Sequence, residues 1–142
     1  MLRTHNAIIR EALGMHGGAE IKHTGDGIMA SFPSAARALA CAIAVQKACA
    51  EHCESNPGSP VRVRIGLNAG EPVAEDDDLF GSAVQLAARI CAQADADQIL
   101  VSNVVRELAA GKGFDFSDRG TATLKGFDDP VQLYRVGWQR GD

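Results

Sequence analysis

Residues 21–32 read IKHTGDGIMASF. Two short runs meet at Gly25-Asp26-Gly27, and Asp-Gly between strand-like runs is a strong hairpin signal. Glu20 to His23 forms the outgoing strand and Ile28 to Phe32 the returning one. Glycine takes backbone conformations that other residues resist, so the turn accounts for both glycines. It does not account for a lone carboxylate, Asp26, held between two residues without side chains, four positions after Lys22. Read alone, Asp26 is a turn residue.

Outward from the hairpin, the pattern changes to that of helices. Residues 2–16 carry Leu2, Ile8, Ile9, Ala12 and Leu13 with charges between them, an amphipathic helix ended by Gly17-Gly18 and without a capping residue before it. Ser34 caps a long Ala-rich helix over residues 35–53, with Leu39, Ala42, Ile43 and Cys49 on its inward stripe. After the loop ESNPGSP, the run VRVRIGLN (61–68) alternates strictly. Val61, Val63, Ile65 and Leu67 face one way, and Arg62, Arg64 and Asn68 the other, as in a half-buried strand.

The acidic stretch EDDDLFG (75–81) opens a further helix, SAVQLAARICAQA. A short strand at QILV (98–101), a helix begun by Ser102, and strands near 114–124 and 131–136 complete the chain. The order is α-β-β-α-β-α-β-α-β-β, with no repeat and no linker. Such an order predicts an α+β fold with helices packed on a mainly antiparallel sheet.

The 142 residues suit one domain, and 46% apolar with 23% charged residues is ordinary for a globular protein. A net charge of −4 without a basic cluster argues against a nucleic-acid surface, and 5% aromatics argue against base-stacking platforms. No run reaches the roughly 18 apolar residues of a membrane span. Cys41, Cys49 and Cys53 share one helix, a poor framework for disulfides, which with Cys91 favours a reduced, cytoplasmic setting. Cys49 and Cys53 with His52 between them could form half of a metal site, but cysteine is a common core residue and no second ligand pair is visible.

Three blocks in register decide the functional reading: KHTGDGIMASF, the stretch from Asp78 to Arg89 (DLFGSAVQLAAR), and LKGFDDPVQLYRV (124–136). Together they resemble the class III adenylate/guanylate cyclase catalytic domain, from the first helix to about Trp138. The resemblance implies a ferredoxin-like (βαββαβ-type) sheet. It also implies a head-to-tail homodimer with its active sites at the interface, where ATP or GTP is cyclised with Mg²⁺ or Mn²⁺. Asp26 matches one of the two metal-binding aspartates, and carboxylate oxygens suit hard cations. Lys22 matches the base-contacting lysine and Asp78 its partner in adenine-selective members. A Lys donor and an Asp acceptor complement adenine's ring nitrogen and amino group, which points to ATP.

Arg89 matches the transition-state arginine, whose planar, multi-donor cation suits a transferring phosphoryl group. Lys125 lies near the family's phosphate-binding lysine. Each position also has a plainer explanation: an exposed strand lysine, a helix-entry acidic cluster that complements the dipole, or a surface arginine. Two departures stand out. Gln85 occupies the place of an asparagine that orients the ribose, its amide displaced by one methylene. Family members also open with a strand bearing the first metal aspartate, so the expectation is a chain truncated at its N-terminus, short of that strand and carboxylate, and inactive as an adenylate cyclase by itself. A catalytically silent cyclase-homology module, binding nucleotide or only dimerising to regulate an attached domain, is the alternative.

Overall fold

The computed structural model describes residues 2–24, 27–58, 61–69 and 82–138. Their elements run α1 (Leu2–His16), β1 (Ala19–Thr24), β2 (Gly27–Ser31), α2 (Ala35–Ser55), β3 (Ile65–Leu67), α3 (Ser82–Gln93), β4 (Ile99–Ser102), α4 (Asn103–Leu108), β5 (Phe116–Ala122) and β6 (Val131–Val136). This is the order expected from the sequence, and the α+β class is confirmed. The chain forms two compact units, Met1–Val63 with Trp138–Asp142, and Arg64–Gly137.

In the first unit, α1 packs on α2 and on the β1–β2 hairpin. Gly17 takes φ 73°, a conformation that favours glycine, and the Gly18 N–H donates to the Leu13 carbonyl at 2.9 Å, closing the helix. β1 and β2 are antiparallel, with Lys22 opposite Met29 and an irregularity between Glu20 and Lys22. Arg10 Nε donates to Glu20 Oε1 at 2.9 Å, tying α1 to β1. Solvent screens an exposed pair of this kind, so it orients the strand more than it stabilises it.

Ser34 Oγ accepts the Arg37 N–H at 3.2 Å and starts α2 as expected. The buried stripe of α2 is Leu39, Cys41, Ala42, Val45, Gln46 and Cys49. Ile43, expected on this stripe, is only partly buried, and Val45 and Gln46 take the central place instead. Residues 61–68 were expected to form one strand, but only Ile65–Leu67 pairs. The cause lies in α2. The Val61 N–H and carbonyl both meet Cys53 Sγ at 3.4 Å, and the Val63 carbonyl accepts Gln46 Nε2 at 3.0 Å. Side chains of α2 thus satisfy the backbone groups that a ladder would otherwise use. The expected burial persists: Val61 and Val63 are buried while Arg62 and Arg64 are exposed.

The second unit holds a four-stranded sheet in the order β3-β4-β6-β5. β3 and β4 are parallel, with Ile65 opposite Ile99, while β4–β6 and β6–β5 are antiparallel. A parallel pair needs a crossover, and α3 supplies it, packing on both strands. All four residues of β4 are buried, the apolar run Ile99–Val101 together with the polar Ser102, as in a strand covered on both faces. Ile90, Ala94, Leu100, Leu124 and Leu133 form the core, with Leu86, Ala122, Phe127 and Val131 packed against it. Ser102 ends β4 and caps α4, its Oγ accepting the Val105 N–H at 3.4 Å.

Among the described residues β5 is an edge strand of this sheet, and its register shifts between Asp118 and Gly120. Gly120 takes φ 86°, and its N–H donates to Asp118 Oδ1 at 2.7 Å. Gln132 Nε2 on β6 donates to the same oxygen at 2.8 Å. These two donors hold the Asp118 carboxyl below its ordinary range, the Gly120 amide contributing more.

Candidate functional site

The helix α3 carries two of the expected residues. Leu86, Ile90 and Ala94, at four-residue spacing, point into the core. The adjacent row, Gln85, Arg89 and Gln93, is exposed, together with Ala88 and Ala92. Gln85 and Arg89 therefore share one face, one turn or about 6 Å apart along the axis. Burial of the inward row fixes the rotation of the helix, and rotation decides which side chains are presented outward.

How closely α3 sits on the sheet is set by Gly66, in the middle of β3. A Cβ built there would lie 2.6 Å from Cys91 Cα and 2.8 Å from the Ala87 carbonyl, and against the Cys91 nitrogen. Real Cβ atoms essentially never approach backbone so closely. Cys91 Sγ completes the seat by donating to the Arg64 carbonyl at 3.4 Å. Burial raises the Cys91 thiol, while the Gly66 N–H and the Arg64 charge offset part of that rise. A glycine interrupting the alternation of VRVRIGLN is the sequence signal for such an approach, and reading the run only as a strand passed over it.

Lys125 is placed by a tight turn. The Phe127 N–H donates to the Leu124 carbonyl at 3.0 Å, and Gly126 takes φ 89° at the third position. This is the conformation of a type II turn, which requires glycine there. Leu124 is buried and Phe127 packs against the core, so the exposed Lys125 is lifted between two anchors. Those anchors belong to the cluster that holds Leu86 and Ile90 of α3. Gln85, Arg89 and Lys125 are thus mounted on one hydrophobic core.

The backbone of Lys22 lies in β1 as expected, in the other unit. Asp26 at the hairpin tip and Asp78 in the acidic stretch lie outside the described residues. Among the described residues no group of three or more His, Cys, Asp or Glu could hold a metal ion. All four cysteines are free, and burial pushes the Cys41 thiol up to about 11. Among the described residues no helix is long and apolar enough to cross a membrane.

Comparison with known proteins bears on this arrangement. The sequence model of the adenylate and guanylate cyclase catalytic domain matches residues 1–137. A Rhizobium meliloti relative is 36% identical over 129 residues, 89% of this chain, and the adenylate cyclase of Neurospora crassa is 30% identical across 95% of it. This chain spans 22% and 8% of the lengths of those two proteins. The crystal structure of an adenylate/guanylate cyclase/hydrolase from Silicibacter pomeroyi superposes with a TM-score of 0.81 at 35% identity, covering 90% of this chain and 77% of that one. The adenylyl cyclase CyaB from P. aeruginosa gives a TM-score of 0.79 at 25% identity, covering 99% and 82%. The core that carries α3 and the Lys125 turn is therefore that of a nucleotidyl cyclase, and the chain belongs to the adenylate and guanylate cyclase catalytic domain family.

Proposed function

We propose that the protein is an adenylate cyclase, converting ATP to 3′,5′-cyclic AMP and pyrophosphate at the interface of a homodimer. The observation that carries this reading is α3, which presents Gln85 and Arg89 on one exposed face above a buried inward row. In the reaction the ribose 3′-oxygen attacks the α-phosphorus, the bond to the pyrophosphate oxygen breaks, and the hydroxyl proton leaves to solvent. Arg89 donates to the phosphoryl oxygens, where charge accumulates in the transition state. Gln85 orients the ribose, and Lys125 pairs with the terminal phosphates. Lys22 and Asp78 read the adenine edge, donating to its ring nitrogen and accepting from its amino group.

Asp26 is the residue that would hold a divalent cation, Mg²⁺ or Mn²⁺. A carboxylate is the donor such hard ions take, and its two glycine neighbours leave room for triphosphate beside it. When bound, such an ion would supply charge stabilisation at the phosphoryl oxygens, and a second ion would need a further carboxylate that the resemblance assigns to no residue of this sequence. A regulatory domain in a longer parent protein would act through this dimer.

The full-length protein, incubated with ATP or with GTP and Mn²⁺, is expected to yield cyclic AMP from ATP in preference to cyclic GMP from GTP, and Asp26→Asn is expected to abolish it. Preference for GTP would overturn the base assignment. Gln85, in place of the usual asparagine, favours a second reading, a silent nucleotide-binding module. Saturable ATP binding with no product in the full-length protein would establish that reading instead.

A further inference from the structure

Arg89 lies between Ala87 and Cys91, the two residues whose backbone rests directly on Gly66. From this juxtaposition we infer that Gly66 is a positioning residue for catalysis, its missing side chain setting the height at which α3 presents Arg89 and Gln85. The inference rests on the reading of α3 given under Proposed function. The contact atoms are a main-chain nitrogen, a Cα and a carbonyl oxygen, none of which can rotate away as a flexible side chain would. Any Cβ at this position must therefore move the helix or the strand. The strand is held by its parallel partner, Ile65, Gly66 and Leu67 standing opposite Ile99, Leu100 and Val101 of the wholly buried β4. The helix has solvent along its outer face, so it is the element that shifts. Displacement by about 1 Å at a catalytic group costs about 10²-fold in rate even when the group itself is unchanged.

The test is Gly66→Ala in the full-length protein. Turnover of ATP is expected to fall about 100-fold in kcat while KM for ATP changes by less than about threefold, because base recognition sits on other elements. Mixed dimers separate positioning from general damage. If each site takes Asp26 from one subunit and Arg89 from the other, a Gly66→Ala subunit paired with an Asp26→Asn subunit retains one intact site. Random mixing then restores about a quarter of wild-type turnover. Pairing Gly66→Ala with Arg89→Ala restores none, because both lesions fall on the same side of the site. Equal restoration in the two mixtures, restoration in neither, or wild-type kcat in Gly66→Ala alone would overturn the inference.

A second readout does not depend on activity. Cys91 Sγ faces the Arg64 carbonyl across the same seat, so alkylation of Cys91, followed by peptide mass spectrometry, reports the displacement. Cys91 is expected to react at least about tenfold faster in Gly66→Ala, as burial is relieved and its thiol returns toward the ordinary range. Cys41, Cys49 and Cys53 on α2 are expected to keep their rates. An unchanged Cys91 rate, or equal acceleration at all four cysteines, would overturn the inference. A wild-type protein without turnover would overturn the cyclase reading separately, and the Cys91 rate would still decide whether Gly66 seats the helix.

Discussion

Ile90→Ala tests the anchoring of α3. Ile90 is 0% exposed and lies in the cluster with Ala94, Leu100, Leu124 and Leu133. Truncation removes three carbons, and at ~0.8 kcal/mol for each the transfer loss is about 2.4 kcal/mol. Leu100 sits on a strand covered on both faces, so the site collapses little, and a void of ~50 Å³ at ~24 cal/mol per Å³ adds about 1.2 kcal/mol. A loss near 3.5 kcal/mol, divided by a urea slope of about 2 kcal/mol per molar, lowers the unfolding midpoint by about 1.7 M. Ile90→Val, which removes one carbon, is expected to lower it by about 0.5 M. Urea titration followed by circular dichroism measures both. A shift below about 0.5 M for Ile90→Ala would refute the claim that this side chain holds the helix in place.

Other expectations concern single positions. Gln85→Asn draws the amide back by one methylene and is expected to raise kcat by about 10- to 100-fold, since a positioning group misplaced by 1 Å costs about that much. Its thermal midpoint is expected to stay within about 2 °C, because the position is exposed and surface changes fall within about 0.5 kcal/mol. Asp118→Asn keeps an acceptor for Gly120 and Gln132 but removes the charge that strengthens both bonds. The carboxyl of Asp118 is held below its ordinary value, so its stabilising effect is fully present above the unfolded pKa of about 4 and is lost as pH falls through the folded one. Unfolding midpoints of wild type and variant are therefore expected to differ at pH 7 and to converge below about pH 4. A constant difference across that range would refute the assignment.

Much of the architecture was legible because α3, α2 and the hairpins carry their own patterns. The four-residue spacing puts Gln85 and Arg89 on one helix face, while the inward row of Leu86, Ile90 and Ala94 that makes this face the exposed one emerges only from the packing. Gly25-Asp26-Gly27 reads as a turn because glycine relaxes the backbone cheaply, and in the structure Gly126 takes φ 89° in the turn that lifts Lys125. The strand at 61–68 was overextended for a different reason. Alternation records which residues are buried, and Val61 and Val63 are buried as expected. It does not record who satisfies the backbone, and here Cys53 and Gln46 do so from a helix. The central place of Gln46 was likewise hidden, because a glutamine in an Ala-rich helix looks like a solvent-facing residue until its amide is seen on the Val63 carbonyl. For Gly66 the run VRVRIGLN signals a close approach, but its partner, the backbone of a helix more than twenty residues away in sequence, is visible only in three dimensions.

The irregularity in β5 has a bearing on edge-to-edge pairing of the sheet. An outermost strand with regular geometry offers a row of amides and carbonyls to any extended peptide that drifts alongside. Here the residue that breaks the row, Gly120, already has its amide engaged by the neighbouring carboxylate, and Gln132 holds that carboxylate from the next strand. Continuation of the sheet into a second molecule is thereby discouraged on that margin, so the dimer proposed above would be built from side-chain faces and not from this strand.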